Sequence, residues 1–186
     1  MLTVGIIVEG NSDAAALPEL IRKCAGDDVE VFARPCHSKS QLMRKFPGFL
    51  EEFCRVKQGM PIDKALIIRD ADNREPHILI PTMKTRYADR TYPFPVEPVI
   101  IVQELETWLL ADGQALSQVV GRSVPDLAEP LEDIANPKER LQKILSDAKV
   151  PYTSEVARRI AAATRLEHLA YRCPNFQAFC QALGDG

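Results

Sequence analysis

Six acids stand just past short runs rich in Val and Ile: Glu9 after residues 3–8, Asp70 and Asp72 after residues 64–69, and Glu104 and Glu106 after residues 96–102, with Asp13 four residues beyond Glu9. Carboxylates gathered in one place repel one another, and a hard divalent cation relieves that repulsion. Mg²⁺ takes oxygen ligands and keeps several waters and phosphate oxygens in its shell, so the chemistry in view is metal-assisted reaction at phosphate. Basic residues that could meet a phosphate are near in sequence. His37 and Lys39 lie in the loop His37-Ser38-Lys39-Ser40, with Lys39 the best contact, and Arg69 and Arg74 flank Asp70 and Asp72. Each basic residue taken singly also fits plain solvated charge.

Local readings compete with the cluster. Gly10-Asn11-Ser12-Asp13 also fits a helix start, with Asn11 or Ser12 as cap and Asp13 favourable to the dipole. Asp70-Ala71-Asp72-Asn73 also fits an Asx-type turn. Glu104 and Glu106, two apart, cannot face the same way on a helix, and Glu106 is the one assigned to the pocket. What lifts the acids above these readings is that all of them fall at one end of the sheet inferred next.

The apolar runs at 3–8, 29–34, 64–69 and 96–102 read as strands. Helical spacing follows each of the first three, over 14–25, 42–53 and a proline-punctuated stretch after residue 73. Strands alternating with helices predict a mostly parallel, doubly wound sheet, Rossmann-like in class, whose ligands gather at the strands' carboxyl ends. After Glu104 only helices are expected, over 104–111, 114–120, 137–148, 154–163 and 175–183. Asn136, ahead of Pro137 and Glu139, reads as one cap, and Thr153 or Ser154 as another. The division is thus 1–112 as an α/β domain and 113–186 as a helical extension packed on it. Trp108, amid leucines at helical spacing, reads as a core anchor rather than a base-stacking platform, and His77 and His168 receive no role.

The chain has 186 residues, 46% hydrophobic and 26% charged, which suits one compact unit with a real core. No apolar run reaches the roughly 18–20 residues of a membrane span. The start, Met-Leu-Thr-Val-Gly-Ile-Ile-Val-Glu, has no basic leader, and a cytoplasmic location is expected. Five cysteines without a CxxC pair signal neither a disulfide framework nor a zinc ribbon, so mostly buried, reduced thiols are expected. The net charge of −3 excludes a uniformly basic protein. It conceals a regional difference, since residues 34–90 hold 12 Lys+Arg against 7 Asp+Glu and the rest 11 against 19.

Val8-Glu9-Gly10-Asn11-Ser12-Asp13 at the end of a first strand, with Asp70-Ala71-Asp72 ending a later one, resembles the Toprim domain of topoisomerases, primases, small ribosomal-RNA maturases and overcoming-lysogenization-defect nucleases. The run Val102-Gln103-Glu104-Leu105-Glu106-Thr107-Trp108-Leu109-Leu110-Ala111-Asp112, then Asn136-Pro137-Lys138 and Cys173-Pro174-Asn175-Phe176, resembles the bacterial Toprim-like family labelled domain of unknown function 4276, over nearly the whole chain. The resemblance implies a Toprim fold and Mg²⁺ or Mn²⁺ as cofactor. It also implies Glu9 as general acid/base or ligand, Asp70 and Asp72 as a metal-binding pair, Asp13 as an added acid of two-metal nucleases, and Glu106 as a further ligand.

The function expected is Mg²⁺-dependent phosphodiester hydrolysis of nucleic acid, DNA favoured over RNA, with Glu9, Asp70 and Asp72 catalytic and phage defence the role by analogy. The alternative is a non-catalytic Toprim-like subunit that binds nucleotide or nucleic acid and regulates a separate ATPase, since no P-loop is present. No membrane partner is expected, and the oligomeric state stays open. An aspartyl-nucleophile phosphatase is disfavoured, because its DxD would follow the first strand rather than the third.

Overall fold

Val4, Ile6, Ile7 and Val8 are fully buried, and the run holding them forms β1 (Leu2–Val8), one of two central strands of a four-stranded sheet. The computed structural model describes residues 1–55, 62–72 and 74–184, so Asn73 of the expected turn lies outside the described residues. β2 (Val29–Pro35), β3 (Lys64–Asp70) and β4 (Val96–Ile101) complete the sheet in the order β2-β1-β3-β4, every pairing parallel. The central strands β1 and β3 read as nearly continuous apolar runs because both of their faces are covered. β4 is an edge strand, which is why it tolerates Pro98.

α1 (Asn11–Ala25) covers one face, and α2 (Lys39–Cys54) and α3 (Pro76–Lys84) cover the other. α1 continues through Pro18, and prolines also lie within α2 and α3, so these three do not mark boundaries as their type suggests. Leu42, Phe46, Leu50 and Phe53 form the buried stripe of α2 against Ile7, Ala65 and Ile67. β1 passes so close to α2 that a Cβ on Gly5 would lie 2.6 Å from the Phe53 ring. The chain leaves β1 for β2 on one side and then crosses back from β2 to β3 on the other, and the crevice at this reversal lies beyond the carboxyl ends of β1 and β3.

The rest of the described chain is helical: α4 (Leu105–Leu109), α5 (Gly113–Val120), α6 (Pro137–Asp147), α7 (Ser154–Ala163), α8 (Leu166–Arg172) and α9 (Phe176–Gly184), with a short 3₁₀ turn at Leu131–Asp133. These helices pack on the α1 face, where Trp108, 1% exposed, meets Phe176 edge-on at 4.9 Å and Phe179 at 5.3 Å. Trp108 is the expected core anchor. Thr153 caps α7 by accepting the Val156 N–H at 3.2 Å. Asn136 stands at the cap of α6 without a side-chain bond to it, so its expected capping role is not seen. α8 was not foreseen, and Leu169 is its one fully buried residue. No helix among the described residues is long and apolar enough to cross a membrane.

Candidate functional site

The site begins where β1 runs out. Gly10 turns the chain into α1, and Asp13, in the first turn, accepts the Gly10 N–H at 2.6 Å, which fixes its carboxylate beside Glu9. Asn11 and Ser12 lie inside the helix, so Gly10 takes the cap position expected of one of them. Glu9 Oε1 accepts the backbone N–H of Asp70 at 3.2 Å, tying the ends of β1 and β3. Glu106, in α4 and 2% exposed, comes in from beyond β4. Glu9, Asp13, Asp70 and Glu106 thus share one cavity of about 310 Å³ with His37, Ser38 and Lys138. Glu104, two residues from Glu106, caps α4, takes the Lys138 N–H at 2.6 Å and lines the neighbouring cavity instead.

The electrostatics match the crowding. Burial and then its acidic neighbours Asp13, Glu9 and Glu106 push the Asp70 carboxyl well above the usual range. Burial, opposed by the Gly10 N–H and reinforced by Glu106 and Glu9, raises Asp13 to about 7. Burial raises Glu9 as well, against the lowering effect of the Asp70 N–H and Lys39. Glu106 is held by two partners that sequence did not suggest: Lys138 Nζ at 3.1 Å and the Tyr152 hydroxyl at 2.7 Å. Lys138 follows the Pro137 that opens α6, so a helix-start signal marks its position, though nothing marks its target. Tyr152 carries no such signal.

The remaining candidates do not line this cavity, although the charges of Lys39 and Arg69 reach Glu9. Asp72 forms an ion pair with Lys39, joining the loop after β3 to the start of α2, and lines the cavity of Glu104 and Gln103. Arg74 is exposed and lines a third cavity with Glu75 and Glu132. Arg69 is 5% exposed, and its Nε has no hydrogen-bond partner among the described residues. It is therefore not the solvated charge that its type suggests. Alternation along β3 puts it on the α2 and α3 side with Ile67. Three of the four loops at this end hold a non-glycine residue at positive φ: His37 at 70°, Asp72 at 45° and Gln103 at 60°. Strained backbone of this kind collects where geometry serves a site.

A second charged cluster lies away from the crevice. His168 Nε2 is 2.9 Å from Asp126, and Asp112, Asp126 and His168 bring their ligand atoms within 4.8 Å of one another. His168, given no role from sequence, therefore has an acid partner 42 positions away. Asp112 is gripped by the Arg165 guanidinium at 2.8 Å on each oxygen, and Asp126 lies 3.7 Å from Arg172. These cations balance the cluster and give it a structural role. No three carboxylates of the crevice come within 4.8 Å of one another among the described residues, so theirs is a wider, open arrangement.

No curated protein and no solved structure matches the chain. A family model described as domain of unknown function (DUF4276) matches residues 8–184, a span that holds every residue of the crevice, and the chain belongs to that family.

Proposed function

We propose that the chain is a Toprim-type, divalent-metal-dependent phosphodiester hydrolase of nucleic acid. One observation carries the reading: Glu9, Asp13, Asp70 and Glu106, from three separate chain segments, converge on one crevice, where burial and the acidic neighbours raise the proton affinity of Asp13 and Asp70. Acids in that state favour a cation, and an all-carboxylate donor set suits Mg²⁺ or Mn²⁺. Glu9, Asp70 and Glu106 would hold the ion with help from Asp13, and waters and phosphate oxygens would fill the shell of so open a site. The metal would supply charge neutralisation at the scissile phosphate and acidify a water.

The chain's own groups do the rest. Lys138 and the amino end of α1 favour an anion at the mouth of the crevice. Asp13, at about 7, can hold or release a proton near neutrality. Asp72, paired with Lys39 on the rim, addresses the mouth rather than the floor. The test is cleavage of supercoiled, linear and single-stranded DNA, and of RNA, with Mg²⁺ or Mn²⁺ and with chelator. Metal-dependent cutting that Asp70→Asn abolishes supports the reading, and intact substrates in every case refute it.

Lys138 also favours a second reading, a non-catalytic subunit that binds nucleotide or nucleic acid and regulates a partner ATPase, because it already partly neutralises Glu106. Metal-independent nucleic-acid binding without cleavage, together with co-purification of an ATPase, selects that alternative.

A further inference from the structure

Cys24 on α1 and Cys180 on α9 are 156 positions apart in sequence, yet their sulfurs are 3.0 Å apart. Both residues are half-buried free thiols. Of the other three thiols, Cys36 and Cys173 are buried and Cys54 is exposed. Neither Cys24 nor Cys180 belongs to the crevice. A disulfide needs sulfurs about 2.05 Å apart, so the pair must close by roughly 1 Å, a distance that side-chain adjustment between two packed helices can supply.

α9 is already fastened at both ends. Lys64, 2% exposed at the start of β3, donates from Nζ to the Ala182 carbonyl at 2.9 Å, a cation at a helix carboxyl end. Just ahead of its first residue, Asn175 Oδ1 accepts the Val102 N–H at 3.1 Å, where β4 gives way to the crevice loop. Cys180 lies between these two ties.

We propose that Cys24 and Cys180 form a reversible disulfide, by exchange with a small-molecule disulfide of the glutathione class, that staples the last helix to the first. Either sulfur can be the donor across the 3.0 Å contact, and with Cys24 donating, Cys180 is the thiol that attacks first. Its thiolate displaces one thiolate from the small disulfide and leaves a mixed disulfide on Cys180. Cys24, after losing its proton to solvent, attacks the Cys180 sulfur and expels the second thiolate. The two protein thiols are oxidised by two electrons, and the small disulfide becomes two thiols. The bond closes a loop spanning most of the chain, the case in which a cross-link most restricts the unfolded state.

The experiment equilibrates the full chain in glutathione buffers of increasing oxidising ratio, blocks remaining thiols with iodoacetamide, and reads intact mass, a non-reducing peptide map and thermal unfolding. Expected are the loss of two hydrogens, a peptide pair joined through Cys24 and Cys180, reversal by dithiothreitol, and a Tm higher by about 10 °C. Cys24→Ser and Cys180→Ser lose all of these, while Cys54→Ser keeps them. Full alkylation of both residues after oxidation, arrest at a glutathione adduct, or a disulfide found only between chains overturns the proposal. Should the serine variants fail to fold, the wild-type peptide map decides alone.

Discussion

Glu9 Oε1 accepts the backbone N–H of Asp70 at 3.2 Å, so the acid that closes β1 is fastened to the acid that closes β3. The pair bridges β1 and β3 where the direction of the crossovers reverses, and the bond holds the Glu9 carboxylate against the backbone that carries Asp70. Glu9→Gln keeps an acceptor for the Asp70 N–H while removing charge, and Asp70→Asn removes the carboxyl most crowded by its neighbours. Each is expected to lower metal-dependent cleavage by well over the roughly 10–100-fold that loss of a supporting partner costs. Asp70→Asn should also raise the metal-free Tm near neutral pH, because it relieves repulsion. A lower Tm with undiminished cleavage would show that Asp70 is a structural acid.

Asp13 gives the site a pH signature. Its carboxyl, raised by burial to about 7 from the ordinary value near 4, keeps its proton in the folded state where the unfolded chain has already lost it. The stability it contributes is fully present below about pH 4 and is lost as pH rises through about 7. Mg²⁺, which binds the ionised form, acts in the opposite direction. The Tm gain from millimolar Mg²⁺ is therefore expected to be larger at about pH 8 than at about pH 5. Asp13→Asn should flatten the metal-free profile across that window, which scanning calorimetry at several pH values reads directly.

Strand positions are legible because β1 and β3 are buried on both faces and read as unbroken apolar runs, and Glu106 was separable from Glu104 because their spacing puts them on different sides of a helix. Arg69 is buried where a solvated rim charge is expected, and alternation along β3 already aligned it with Ile67 rather than with Asp70. Lys138 meets Glu106 through the packing of α6 on α4, and His168 meets Asp126 across 42 positions. Nothing local encodes either meeting. α8 escaped because two leucines, Leu166 and Leu169, are too few to set a helical period.

Lys138 has two possible duties, and salt separates them. If its ammonium meets a phosphate, Lys138→Met weakens binding of a short duplex and makes the dependence of log K on log salt shallower by about 0.9. If it serves only to neutralise Glu106, 3.1 Å away, the slope stays as it was. In both cases the substitution leaves Glu106 with the Tyr152 hydroxyl as its remaining partner, and a loss of about 1–2 kcal/mol in urea unfolding is expected for a half-exposed lysine.

Asp112 shows the opposite pH behaviour from Asp13. Burial opposes its charge, but Arg165 and the backbone N–H groups at the start of α5 and at Arg165 hold its carboxyl well below the usual range. The stability it contributes is complete above its ordinary value near 4 and fades as pH falls below that. Asp112→Ala leaves those donors unmet and is expected to cost roughly 3–5 kcal/mol near neutral pH, less in strong acid. Urea midpoints at about pH 7 and about pH 3 measure the difference, and equal losses at both would mean that the carboxylate's charge is irrelevant to its cap.

Trp108 tests whether the helical layer bears on the crevice. It sits two residues from Glu106, 1% exposed against Phe176 and Phe179, and its Nε1 has no hydrogen-bond partner among the described residues. Trp108→Phe therefore gives up volume but no hydrogen bond and is expected to cost about 1–2 kcal/mol, whereas Trp108→Ala opens a cavity and costs about 3–5 kcal/mol. Unfolding must be followed by circular dichroism, since this is the chain's one tryptophan. A ring so enclosed cannot stack on a base, so Trp108→Phe should bind nucleic acid as wild type does. Trp108→Ala, by loosening α4, should weaken metal binding through Glu106 before it unfolds the sheet.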